Sequence, residues 1–234
     1  MSTTQERIDD AVGGEVDHLR AILERQRAAY TAEGPPDVAV RRNRIDRLLA
    51  LVLDNADEFI DAMETDFGSR PKTGSLFTEV LGMISVIEHT RSHVPQWMRA
   101  TKLMRAARLA GLKAVVRPSP LGVGGIIGPW NFPLQRVVVL PASAAFAAGN
   151  RVMIKMSEIT PRTSERMKST SPTYFDPAEL GIVTGGSETH RPSKTQGACI
   201  VWLEKALSHG THRDSQGVSR ANSGLAICDY LTTA

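Results

Sequence analysis

Between Leu112 and Thr184 the chain alternates short apolar runs with helical stretches, and this alternation constrains the fold more than any other feature. Leu112-Lys-Ala-Val-Val-Arg117 reads as a strand, followed by a Pro118-Ser-Pro120 turn. Val123–Ile127 is an apolar run bounded by glycines, the pattern of a strand buried on both faces of a parallel sheet. Pro133 stands where proline is favoured, at a first helical position, and Gly149 stands just past a last one. The spacing therefore predicts a helix over 134–148, bent at Pro141, which removes one internal hydrogen bond. Arg151–Lys155 reads as the next strand, Thr160–Lys168 as the start of a second helix, and Leu180–Thr184 as a third strand of the sheet. Strands that alternate with helices in this way call for right-handed crossovers, so the fold class is α/β with a parallel sheet.

The first hundred residues have a different periodicity. Residues 5–33 place apolar side chains at near-helical spacing, and Gly34-Pro-Pro36 ends that run. A second helical run covers about Val40 to Phe67, with a break expected near Asn55-Ala-Asp57 and a left-handed stop at Gly68 ahead of Pro71. A third covers about Leu76 to Met98, with an interruption expected near Pro95. From Ser187 onward the chain is rich in Ser, Thr, Gly, His and Arg, and the alternation stops. The expected organisation is a helical segment over 1–100, a partial dinucleotide-binding domain over 101–186, and a divergent, poorly ordered tail over 187–234. Three sheet strands are expected and no more. A short helical or strand segment at Ile200–Leu207 stays open.

Composition removes several function classes. The net charge of +3 is spread along the chain and forms no basic stripe, which speaks against nucleic acid. The longest apolar stretch, Val137–Ala148, is too short for a bilayer and holds Pro141 and Ser143. The N-terminus has no apolar core of a signal peptide. Two cysteines make no disulfide framework, so a reducing, cytoplasmic setting is expected. His209-x-x-His212 has no partner ligands at metal-binding spacing, so no metal is expected.

Several spaced motifs carry a resemblance. Asp66-Phe-Gly68, Trp97-Met98, Pro129-Trp-Asn-Phe-Pro133, Ala148-Gly-Asn150, Lys155-Met-Ser-Glu158 and Thr184-Gly-Gly186 occur in the order seen in aldehyde dehydrogenases. The chain resembles that superfamily from about Arg41 to Gly186, and Tyr174-Phe-Asp-Pro177 is most similar to its coniferyl-aldehyde dehydrogenase branch. The resemblance implies N-terminal helices plus an incomplete Rossmann-like parallel sheet of the aldehyde dehydrogenase fold. It also implies an oxidoreductase that converts a small-molecule aldehyde to a carboxylic acid with NAD, NADP staying open, and that assembles as a homo-oligomer.

Each site residue has two readings. The resemblance makes Asn131 the donor to the aldehyde oxygen, on a loop after a parallel strand where open α/β sheets bind ligands. The plainer reading is a turn former ahead of a helix. Lys155 and Glu158 match the pair that contacts the adenosine ribose hydroxyls, where a carboxylate favours NAD by repelling a 2′-phosphate. The plainer reading is a surface ion pair at a helix start, capped by Ser157 or Thr160. Met156 replaces the proline common at this point, and a looser loop is expected from it. Ile126, Ile127, Pro129 and Trp130 either line the cofactor cleft or pack in the core. The glycines at 122, 124, 125 and 128 lie within and around a strand, with spacing unlike G-x-G-x-x-G, so a phosphate loop is not expected there.

The resemblance then runs out. After Thr184-Gly-Gly186 the family continues with a pyrophosphate-binding turn, a Glu base and a Cys nucleophile in a Gly-Gln-x-Cys context. Neither Cys199 nor Cys228 stands in that context, and the sequence is read as truncated before the catalytic Cys and Glu and inactive as it stands. The alternative is a non-catalytic chain that associates with full-length subunits or binds nucleotide weakly.

Overall fold

The computed structural model describes residues 2–103, 114–185 and 199–202, with side chains over 18–101, 115–135 and 140–185. Helix α1 is Ser2–Glu33, α2 is Val38–Leu53 and α3 is Ala56–Phe67. The short α4, Lys72–Ser75, runs through a π-helical stretch, Leu76–Leu81, into α5, Gly82–Trp97. A small antiparallel ribbon pairs β1, Thr101–Leu103, with β2, Ala114–Val116. The main sheet begins with β3, Val123–Ile127. A π-helical stretch, Gln135–Ala142, then leads into α6, Ser143–Ala147. β4 is Arg151–Lys155, α7 is Pro161–Tyr174, β5 is Leu180–Val183 and β6 is Cys199–Trp202.

The sheet is parallel throughout, in the order β5-β4-β3-β6. From β3 the chain steps outward through β4 to β5, then returns across to pair β6 with the other side of β3. The order therefore reverses between β3 and β6. The alternation of the sequence produced the parallel sheet as expected, but the count of three strands was one short. Cys199-Ile-Val-Trp202 is a short apolar run, for which periodicity cannot separate strand from helix, and it takes the β3 edge. The rest of the tail lies outside the described residues.

Two prolines behave differently from expectation. Pro95 lies inside α5 without interrupting it. A helical residue at 95 would donate to the carbonyl of Arg91, and Arg42 Nε takes that carbonyl instead at 3.2 Å. Pro141 was expected to bend an α-helix; the chain around it winds as a wider π-helix, which accommodates the missing donor. The break after α2 and the left-handed Gly68 after α3, with φ of 70°, fall where the sequence put them.

The core sits between the sheet and the helices. Ile45, Leu48 and Leu51 of α2, Phe59 and Met63 of α3, and Met83 and Ile87 of α5 are fully buried together with Phe146 of α6 and Ile154 of β4. Each such side chain contributes about 1.5–3 kcal/mol by leaving water. Helix α1 docks along the sheet through Gln26, whose Nε2 donates to the carbonyls of Val152 and Pro177 at 2.8 and 3.0 Å. Among the described residues no helix is long and apolar enough to cross a membrane.

Candidate active site

Two loops leave the carboxyl ends of neighbouring strands. The first follows β3 and carries Pro129, Trp130 and Asn131; the second follows β4 and carries Glu158. They start side by side, because Ile127 and Lys155 are register partners and Gly128 N donates to the carbonyl of Lys155 at 2.9 Å. Lys155, the last residue of β4, is 6% exposed. Its Nζ lies 2.7 Å from Glu158 Oε2, and the Glu158 side chain is 43% exposed. A buried ammonium thus turns toward a carboxylate that is partly exposed at the surface.

Asn131 is exposed on its loop, and its carbonyl accepts from Arg70 Nη1 at 3.2 Å. Trp130 is 44% exposed, with its ring 6.4 Å from that of Phe67. Ile126 is buried in the core cluster, and Pro129 is buried as well. Ile127 is half-buried at the strand end. The structure therefore brings Lys155 and Glu158 into direct contact and places Asn131 on the adjoining loop, while Ile126 packs in the core.

Met156 does not loosen the second loop. Its side chain is 1% exposed, and its backbone N donates to the carbonyl of Val183 at 2.9 Å, a bond that a proline could not make. The expected caps of the following helix are also replaced. Thr160 occupies the N-cap position without capping, and Ser157 Oγ accepts from Ile159 N, at 3.2 Å, ahead of the helix. The cap comes from Asp66, at the end of α3. Its carboxylate accepts from Arg162 N at 2.9 Å, Thr163 N at 2.8 Å and Thr163 Oγ1 at 2.7 Å.

A further carboxylate, absent from the sequence reading, lies behind the first loop. Glu79 is fully buried. It accepts from Arg70 Nη2 at 2.8 Å, Leu134 N at 3.2 Å and Gln135 N at 2.8 Å. Burial pushes its carboxyl above the ordinary glutamate range, against the opposing pull of those backbone donors and of Arg70. Nothing in its local sequence marks it, because its partners lie 9 to 56 residues away. Likewise Asn150 of Ala148-Gly-Asn150 accepts from Leu121 N at 2.8 Å and Gly122 N at 3.0 Å, tying the approach to β3 to the start of β4. Among the described residues there is no group of three or more His, Cys, Asp or Glu side chains able to hold a metal ion.

A parallel α/β sheet with polar side chains on the loops beyond its strand ends, beside a reversal of strand order, belongs to the class of open-sheet proteins that take ligands at that edge. Comparison with known proteins makes the class specific: the aldehyde dehydrogenase family model matches residues 2–192, and the chain belongs to that family. The coniferyl aldehyde dehydrogenase of a Pseudomonas species is 38% identical over 177 residues, covering 76% of this chain and 36% of that protein. The 4,4'-diapolycopene-4,4'-dial dehydrogenase of Cytobacillus firmus is 34% identical over 172 residues, covering 73% of this chain and 37% of that protein. The chain thus spans about a third of the length of these curated relatives. Among solved structures, the substrate-bound state of Staphylococcus aureus AldH superposes with a TM-score of 0.68 at 24% identity, over 73% of this chain and 37% of that one, which shows the shared fold.

Proposed function

We propose that these two loops form the carbonyl-polarising and ribose-binding part of an NAD(P)-dependent aldehyde oxidation. The observation that carries this reading is the placement of Asn131 and Glu158 on loops beyond the carboxyl ends of two adjacent parallel strands, in a chain of the aldehyde dehydrogenase family. Glu158 fits a ribose: its carboxylate is half-exposed on the loop after β4 and can accept from vicinal hydroxyls. A 2′-phosphate would meet that carboxylate, and the Lys155 ammonium, the charge nearest to offset it, is already held at 2.7 Å by Glu158. NAD is therefore the favoured cofactor and NADP the weaker one. When bound, the nicotinamide supplies the hydride acceptor. Asn131 would donate its side-chain amide to the aldehyde oxygen as negative charge builds there, a contribution of roughly 10²–10³ in rate for one such donor. The names of the relatives make a coniferyl-type aldehyde the first substrate to test.

A second reading, nucleotide binding without turnover or in association with full-length subunits, is favoured by the position of Cys199. It opens β6 opposite Gly124, at the amino end of the sheet. Asn131 lies beyond Ile127, so the two are separated by at least the strand from Gly124 to Ile127, about 10 Å at about 3.3 Å per residue. Cys199 is thus on the wrong side of the sheet for attack on a carbonyl held by Asn131, and Cys228 lies outside the described residues. Calorimetric titration of the full chain with NAD, with Glu158→Ala as control, tests the shared part of both readings. Binding that Glu158→Ala weakens supports the site; a folded chain that binds no NAD overturns it. Aldehyde-dependent NADH formation then separates the first reading from the second.

A further inference from the structure

We infer that Arg70 and Glu79 are positioning residues for Asn131. The inference rests on the proposed role of Asn131 as donor to the aldehyde oxygen. Beyond Gly128 the first loop leaves the sheet, so something other than strand pairing must set the position of Asn131. A half-buried arginine paired with a fully buried glutamate grips the loop at its middle and at its far end. At the middle Arg70 Nη1 donates to the carbonyl of Asn131 at 3.2 Å. At its far end Glu79 Oε2 accepts from the backbone amides of Leu134 and Gln135 at 3.2 and 2.8 Å. The two grips are joined, because Arg70 Nη2 donates to Glu79 Oε1 at 2.8 Å and to Thr78 Oγ1 at 3.1 Å.

The grip is also enclosed. Glu79 has no exposed side-chain surface and the Arg70 side chain is 17% exposed. The Arg70 guanidinium lies 5.0 Å from the ring centre of Phe67 and 5.6 Å from that of Phe132, so two rings pack against it, one of them on the loop itself. A guanidinium suits this post because its fixed fork can serve a carbonyl and a carboxylate together. Lysine offers a single point charge and cannot hold both in the same geometry. A carboxylate buried only for stability would need partners, but none of them would have to be a loop that presents an exposed amide. Here three of its bonds converge on that loop or on the residue that holds it.

The test uses the isotope-labelled full chain and its Arg70→Gln and Glu79→Gln variants, read by backbone order parameters at Asn131 and Phe132 and by amide exchange at Leu134 and Gln135. In the parent chain Asn131 should show the order of a rigid backbone, about 0.85, and in both variants it should fall below about 0.6. Exchange at Leu134 and Gln135 should speed at least about tenfold, while the β4 amides keep their protection. A folded Arg70→Gln chain in which Asn131 stays rigid overturns the inference. If that variant does not fold, Arg70→Lys replaces it and should still loosen Asn131; rigid Asn131 in Arg70→Lys overturns the inference equally. Where the parent oxidises an aldehyde, Arg70→Gln should lower kcat roughly as Asn131→Ala does and leave the KM for NAD unchanged. Loosening without any aldehyde oxidation sinks the catalytic reading alone, and oxidation with an unmoved Asn131 sinks this inference alone.

Discussion

At the scale of single residues, the proposed site makes Glu158 the residue that should set the nucleotide preference. Its carboxylate is the exposed member of an ion pair whose other member is buried, so substitution should change the surface of the loop and leave the strand in place. Glu158→Gln keeps the shape and removes the charge. It should weaken NAD binding by about threefold to tenfold and narrow the gap to NADP, because the released Lys155 ammonium then faces a 2′-phosphate. Paired titrations with the two nucleotides check this, and an unchanged ratio would argue against a ribose-facing Glu158. The placement of Asn131 and Glu158 on loops after strands, and of Lys155 at a strand end, was legible in the sequence because contiguous motifs carry them. The contacts of Arg70, Asp66 and Glu79 were not, although Asp66 stood in one of the motifs of the resemblance. Asp66 caps a helix 96 residues further on, and Arg70 reaches a carbonyl 61 residues away, so no local pattern records either contact. The part played by Met156 was misread for a related reason: the bond to Val183 exists only once β5 lies beside β4.

Among the elements, α7 and α1 show how distant residues fix local structure. Helix α7 begins at Pro161, and its first free amides are served by Asp66 from the end of α3. Asp66→Ala should cost about 1–2 kcal/mol, the usual loss for a helix cap, and urea unfolding should show it as a lower midpoint with an unchanged slope. Because the loop bearing Glu158 feeds directly into α7, NAD binding should weaken in the same variant. Helix α1 depends on a close approach to the sheet. A Cβ at Gly181 would stand 2.6 Å from Ile22 Cγ2 and 3.3 Å from Gln26 Nε2. Gly181→Val should therefore lift α1 away and break the Gln26 bonds to Val152 and Pro177. Hydrogen exchange should report faster exchange across 18–33 with the α5 amides unaffected; equal protection in the variant would show that α1 does not rely on this contact. The helical period of 5–33 was visible in the sequence, yet its partner was not, because a glycine in a strand gives no sign of what approaches it.

At the scale of the whole molecule, an arginine-rich network ties the N-terminal helices to the sheet, and it should shape the response to acid. Glu179, just before β5, accepts from Arg44 Nε at 2.9 Å and from Arg47 Nη1 and Nη2 at 2.7 and 3.1 Å. Arg44, with its side chain 1% exposed, also pairs with Glu33 at the end of α1, and so does Arg151 of β4. Burial works against the charge of Glu179, but its bonds to Arg47 and Arg44 outweigh it and hold the carboxyl below the ordinary value of 4.5. The unfolded chain therefore binds the proton first. The stabilisation is complete above about pH 4.5 and is lost as the pH falls through the lower value of the folded state. Glu79 has the opposite sign: its carboxyl lies above 4.5, so between 4.5 and that raised value the folded chain binds the extra proton and gains stability as the pH falls. Acid unfolding should then follow Glu179, below the range in which Glu79 acts. Glu179→Gln should cost about 1–3 kcal/mol at neutral pH, since buried Arg44 loses a charged partner, and should flatten the fall in stability below pH 4.5. Urea unfolding at a series of pH values measures both effects at once. A variant that is weakened at pH 7 yet keeps the full acid slope would place the acid response in other carboxylates and leave Glu179 a purely local contact.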